Sequence, residues 1–160
     1  MKALTLWQPW ASLVIEGCKP FEFRSWHVPR SIIGQRIVIH AAAREVNHSE
    51  CVRLLRALQQ GGATAAETCL ISEKAIPLLA GRSWLDYPLA CGLGTAIVGE
   101  PRNGIDIAEE FGVPRANDSD RDQHANWGWP MLEIERWEQP IRMRGAQGLW
   151  NWPTPAEAGL

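Results

Sequence analysis

Apolar and polar positions follow two periods along this chain, and the switches between them mark out its elements. At 21–26 the period is two: Phe21, Phe23 and Ser25 share one face of a strand, and Glu22, Arg24 and Trp26 share the other. At 3–7 a short apolar run reads as a buried strand, and at 36–40 Arg36-Ile37-Val38-Ile39-His40 is β-branched enough to be a second one. Between them Trp10, Leu13 and Val14 recur at helical spacing, Pro9 suits the first turn, and Gly17 supplies the left-handed stop. Further on, Asn47 or Ser49 caps a helix that runs to about Gln60, with Val52, Leu55 and Leu58 as its buried stripe, and Gly61-Gly62 ends it. A second helix is expected at 65–74. Pro77, Gly81 and Pro88 predict a loop after it, with short helical pieces at most. Strands are expected again at 94–99, 127–137, 141–144 and 149–152, with a short helix at 106–111 and a polar loop at 115–126. Residues 153–160 read as a frayed tail.

The predicted order is strand, helix, two strands, a helical stretch, then three or four strands. Regular βαβ alternation is missing, which argues against a doubly wound sheet. A mixed α+β fold is expected, a small β-barrel with helices around it. The length of 160 residues fits one domain, and 46% apolar with 21% charged residues is an ordinary globular balance.

Nine Trp stand against three Phe and one Tyr. Trp serves both cores and stacking platforms, so the count alone does not choose between them. The net charge of −2 excludes a protein coated in positive charge. The halves differ: residues 1–80 carry nine Lys and Arg against six Asp and Glu, and residues 81–160 carry seven against twelve. A phosphate-binding surface is therefore expected to be local and drawn mainly from the first half. Cys18, Cys51, Cys69 and Cys91 form no CxxC pair, so free thiols are expected and a metal site is not. Gln8-Pro9 and Glu16 interrupt the N-terminal apolar stretch, which argues against a signal peptide. No apolar run is long enough for a membrane helix, and a cytoplasmic location is expected.

The candidate chemistry gathers at 17–24. Gly17 lets the backbone turn with positive φ. Lys19 beyond it reaches a phosphate as a point charge, or serves as a base if burial depresses its pKa. Arg24 shares a strand face with Glu22 and holds it ionised, and a Lys19–Glu22 pair in a cleft could run acid/base chemistry. The plainer reading of Glu22 and Arg24 is a same-face ion pair worth less than about 1 kcal/mol if exposed. Trp7 and Trp10 read first as core and second as stacking groups; Trp26, after Arg24 on the same face, is open to either use. Trp137 and Trp150 are expected in the core. His40 reads as structural before catalytic, and His124 falls in the polar loop. Neither Ser12 nor Ser25 has a base placed beside it, and nucleotide-fingerprint and HExxH patterns are absent.

Four segments carry a resemblance to a known family. Residues 6–13, Leu-Trp-Gln-Pro-Trp-Ala-Ser-Leu, resemble the opening of ASCH (activating signal cointegrator homology) domains. Gly17-Cys18-Lys19-Pro20-Phe21-Glu22-Phe23-Arg24 is similar to the family's GxKxxExR signature. Residues 37–42 resemble the strand that follows, and 145–150, after 127–132, resemble the closing segment. The resemblance implies one PUA-like β-barrel domain over 1–152, with 44–92 as a helical insertion. It also implies a cleft at the signature that takes nucleic acid, single-stranded RNA favoured, or a modified nucleoside or other nucleotide-like ligand. Trp7, Trp10, Gly17, Lys19, Glu22, Arg24 and Trp26 are the expected ligand-binding residues, and no cofactor is expected. The alternative it implies is a small metal-independent hydrolase, ribonuclease-like or nucleoside amidohydrolase-like, with Lys19 and Glu22 as acid/base groups. Amidohydrolase-like members carry Thr where this chain has Glu22, a departure from that pattern. A protein-interaction module built on the 44–92 stretch ranks last.

Overall fold

A computed structural model describes residues 1–116 and 126–153. Residues 117–125 of the expected polar loop, with His124, and the tail beyond residue 153 lie outside the described residues, while Ala116 at the loop's start is buried. Strand β1 (Lys2–Leu6) leads through helix α1 (Trp10–Ile15) to β2 (Phe21–Arg24) and β3 (Arg36–Ala41). Helices α2 (His48–Gln60), α3 (Gly62–Ala66) and α4 (Ser72–Gly81) follow, then β4 (Cys91–Val98) and the two-residue β5 (Arg102–Asn103). Helix α5 (Gly104–Glu110) and strands β6 (Trp127–Arg142) and β7 (Leu149–Asn151) complete the order. The fold is the expected mixed α+β type.

The sheet runs β2-β6-β4-β3-β1-β7, with β5 beside β6. β1 and β3 are parallel, Thr5 opposite His40, and β1 and β7 are antiparallel, Ala3 opposite Trp150. β2 and β1 stand far apart in this order, yet Arg24 Nη2 donates to the Thr5 carbonyl at 3.3 Å. The sheet is therefore curled until its two ends nearly meet. Strand β6 makes the corner. Its first residues pair with β2 and β5, and the rest pair with β4. Two register shifts against β4, at Gly92/Gly94 and Thr95/Ile97, let it bend, and Glu133 takes a positive φ there. The sequence pattern split this strand into two pieces, because a bulge resets the alternation.

Leu4, Leu6, Val14, Ile37, Ile39, Leu93, Val98, Trp129 and Met131 fill the inside of the curl. All six residues of α1 are buried, since α1 closes the curl on one side and packs against the helical stretch on the other. Trp10, Leu13 and Cys18 share a second core with Leu54, Leu58, Leu70, Ala75 and Leu79. Helices α2 to α4 thus lie against α1, and β4 begins at Cys91, inside the stretch expected to be insertion. Asn47 caps α2 by accepting from the Glu50 N–H. Its buried stripe is Leu54 and Leu58 rather than Val52, Leu55 and Leu58.

The second helix expected at 65–74 is two helices, and Pro77 lies inside α4 instead of in a loop. Pro77 forfeits one intrahelical bond, but burial of Ala75 and Leu79 against α2 outweighs that loss. Trp137 and Trp150 are half-buried lids with Trp152 rather than core residues; Trp129 and Trp10 are the deeply buried indoles.

Candidate functional site

The signature segment begins at the end of α1. Gly17 takes φ +69°, and the N–H groups of Cys18 and Lys19 both return to the Leu13 carbonyl. This turn throws Lys19 inward rather than out to solvent. Lys19 is 2% exposed. Its Nζ donates to the Phe21 carbonyl at 2.6 Å, lies 3.1 Å from Glu22 Oε2, and sits between the rings of Phe23 (5.3 Å) and Trp10 (5.7 Å). Glu22 in turn places Oε1 3.1 Å from Arg24 Nε. Two cations thus bracket one buried carboxylate, and the aromatic faces shield the ammonium from water.

A cleft of about 1170 Å³ opens where β2 approaches β1. Its walls are the C-terminal ends of β1 and β3, the face of β2 that carries Glu22 and Arg24, the first turns of α2, and the loop 143–148 between β6 and β7. Asn47, Glu50 and Arg53 reach it from α2 at spacings of three, so one helical face looks into the cleft. Five arginines line it, Arg24, Arg44, Arg53, Arg142 and Arg144, against two carboxylates, Glu22 and Glu50. In a chain of net charge −2 this is a local positive basin. Arg44 lays its guanidinium 3.8 Å from the centre of the Trp7 ring, and Trp7 is 39% exposed. Arg142 and Arg144 have no carboxylate partner among the described residues.

His40 forms part of the cleft floor. Its Nε2 lies 2.9 Å from the Met143 carbonyl, an acceptor only, so Nε2 carries the proton and donates. Nδ1 then accepts from Thr5 Oγ1 at 3.2 Å, and Thr5 Oγ1 accepts from Trp150 Nε1 at 2.9 Å. Burial lowers the His40 pKa, and the bond to Met143 works against that shift. The ring is thus neutral at neutral pH and ties loop 143–148 to β1 and β7. Gly145 lies against the imidazole so closely that a side chain there would collide with it.

Of the expected ligand-binding residues, Trp7, Trp10, Glu22 and Arg24 line the cleft. Gly17, Lys19 and Trp26 do not. Gly17 faces Lys74 of α4. Lys19 is drawn behind Glu22 by its oxygen and ring partners. Strand β2 stops at Arg24, so the alternation that would have placed Trp26 beside it ends; Trp26 packs edge-on against Trp129 at 4.7 Å instead. The sequence reading missed Arg44, Arg53, Arg142 and Arg144; it read His40 as structural, which its bonds to Thr5 and Met143 bear out, but did not place it at the cleft floor. A signal for the α2 contribution was present: Asn47, Glu50 and Arg53 make a polar face at helical spacing.

No helix among the described residues is long and apolar enough to cross a membrane, and no cluster of His, Cys, Asp and Glu suited to a metal forms there. The four cysteines are free thiols. Comparison with solved structures finds the crystal structure of ASCH from Zymomonas mobilis, 14% identical, at a TM-score of 0.53, covering 99% of this chain and 90% of that one. A serine-to-alanine mutant of ASCH from the same organism, also 14% identical, matches at a TM-score of 0.51 over 99% and 91%. At that identity the likeness speaks for the fold. No curated protein matches by sequence. The family model of the ASCH domain matches residues 4–98, which contain β1 to β4, the signature segment and the α2 wall of the cleft. With the curled sheet and the Gly17–Arg24 segment in place, the chain belongs to the ASCH domain family.

Proposed function

We propose that the cleft binds single-stranded nucleic acid, RNA in preference, or a nucleotide-like piece of it. The observation that carries this reading is the ring of five arginines around a cleft of about 1170 Å³, with an exposed indole–guanidinium stack at its edge. Arg44, Arg53, Arg142 and Arg144 meet phosphates, and bases stack on the Trp7–Arg44 pair. Arg24 and Glu22 offer donors and an acceptor deeper in, where a base edge can be read. Lys19 holds Glu22 in place from behind.

A hydrolytic use of the same cleft draws support from the Lys19–Glu22 contact at 3.1 Å. In that version Glu22 is the group that meets the substrate, and Lys19 fixes its charge. Titration of a fluorescent single-stranded RNA and of its duplex form tests the binding reading. The wild type is expected to prefer the single strand, and Trp7→Ala to weaken it by about 1–3 kcal/mol, one stacked base. Equal affinity of Trp7→Ala and wild type would remove the stack from the site. Turnover of RNA or an acylated nucleoside, lost in Glu22→Gln, would select the hydrolytic version.

A further inference from the structure

We propose that the binding surface continues out of the cleft over Trp84 and His48, so that the ligand is an oligonucleotide long enough to cross the rim rather than a lone nucleotide. This rests on the nucleic-acid reading of the cleft and extends it.

Trp84 opens the 3₁₀ turn Trp84–Asp86 and is 42% exposed, and Leu85 beside it is 70% exposed. Neither packs into any of the three cores. The ring of Trp84 lies 6.2 Å from that of His48, the first residue of α2. Asn47, the cap immediately before His48, lines the cleft. The segment that carries Trp84 runs on to Ala90, which also lines the cleft, and Gln8 Nε2 fastens it by donating to the Pro88 carbonyl at 2.9 Å. The aromatic pair is therefore the next surface beyond the cleft wall, fixed to it at both ends. The cleft exceeds the roughly 300–1,000 Å³ of an ordinary small-ligand pocket, so a chain of nucleotides suits it.

The chemistry of the two surfaces differs. Within the cleft arginines prevail. Beyond the cleft the flat groups are Trp84 and His48, and Asp86 stands close to Trp84 in sequence. Phosphate neutralisation therefore belongs to the cleft arginines, and the Trp84–His48 surface contributes stacking of a base, which every nucleobase supplies through its π-face. A contact of that kind adds affinity for long strands and leaves the salt dependence alone, because no counterion is released.

The test compares an adenosine dinucleotide and an octanucleotide RNA on wild type, Trp84→Ala and Trp84→Phe at several salt concentrations. Wild type binds the octanucleotide more tightly. Trp84→Ala is expected to lose about tenfold on the octanucleotide, within the stacking range, with an unchanged salt slope and less than about twofold on the dinucleotide. Trp84→Phe should restore most of the loss. The retained dinucleotide affinity shows that the variant is folded. Equal octanucleotide affinity of Trp84→Ala and wild type would overturn the extension, as would equal losses on both lengths. A wild type that binds neither RNA would overturn the reading of the cleft itself, and the extension with it.

Discussion

Lys19 lies behind the wall of the cleft and Arg24 within it, Arg44, Arg53, Arg142 and Arg144 stand on its rim, and the two sets of cations meet different surroundings. Lys19 is 2% exposed and held between a carboxylate, a carbonyl and two rings, while the four rim arginines are exposed. In the wall two cations share the one buried carboxylate of Glu22, each within 3.1 Å. On the rim positive charge is in excess. Buried, paired charge fixes geometry, whereas exposed excess charge attracts an anion from a distance. On the proposed reading the signature residues mainly frame the site, and the exposed rim arginines meet the ligand.

Removing a charge from each region separates the two roles. Lys19→Met keeps length and deletes the ammonium, so Glu22 stays buried against Arg24 alone. The expected loss is about 3–5 kcal/mol, the range for breaking a buried pair, read by urea denaturation. Lys19→Arg should fail to restore it fully, because the larger guanidinium must enter a site where Lys19 is already 2% exposed. Arg144→Gln should change stability by less than about 0.5 kcal/mol. A Lys19→Met protein as stable as wild type would erase the distinction between wall and rim.

A smaller effect sharpens the same contrast at the cleft floor. His40 is neutral in the fold because burial lowers its pKa from the ordinary 6.5. The unfolded chain takes the proton first as pH falls, so this contribution is complete above about pH 6.5 and declines below it. The slope is at most about 1.4 kcal/mol per pH unit, the limit for one proton. Denaturation midpoints between pH 7.5 and about 5.5 should show this decline in wild type and a flatter line in His40→Gln. Parallel profiles would show that the Met143–His40–Thr5 link is no part of the pH response.

The frame was far more legible in the sequence than the rim. Strand β2, helix α1 and the Gly17 turn are local: alternation, an apolar stripe and one glycine determine them. Even so, the pattern left Lys19 open between a phosphate contact and a buried base, because nothing in spacing tells that a lysine will find a carbonyl and two rings as well as Glu22 in three dimensions. It carried Trp26 one step too far along a strand that stops at Arg24. It broke α4 at Pro77, where tertiary packing against α2 outweighs one lost hydrogen bond. Arg44, Arg53, Arg142 and Arg144 come from the approach to α2, from α2 itself and from the end of β6, outside the signature segment. Only the curl of the sheet unites them, and periodicity reports which face is buried, not what it is buried against.

The salt dependence of RNA binding tests the division between wall and rim most directly. Affinity for a single-stranded oligonucleotide should be measured across salt concentrations for wild type and for Arg44→Gln/Arg144→Gln. Four rim arginines at about 0.7 per phosphate predict a slope of magnitude about 2.8 in log affinity against log salt, and the double variant about 1.4. A double variant with the wild-type slope, or a wild type with a slope near zero, would contradict the account.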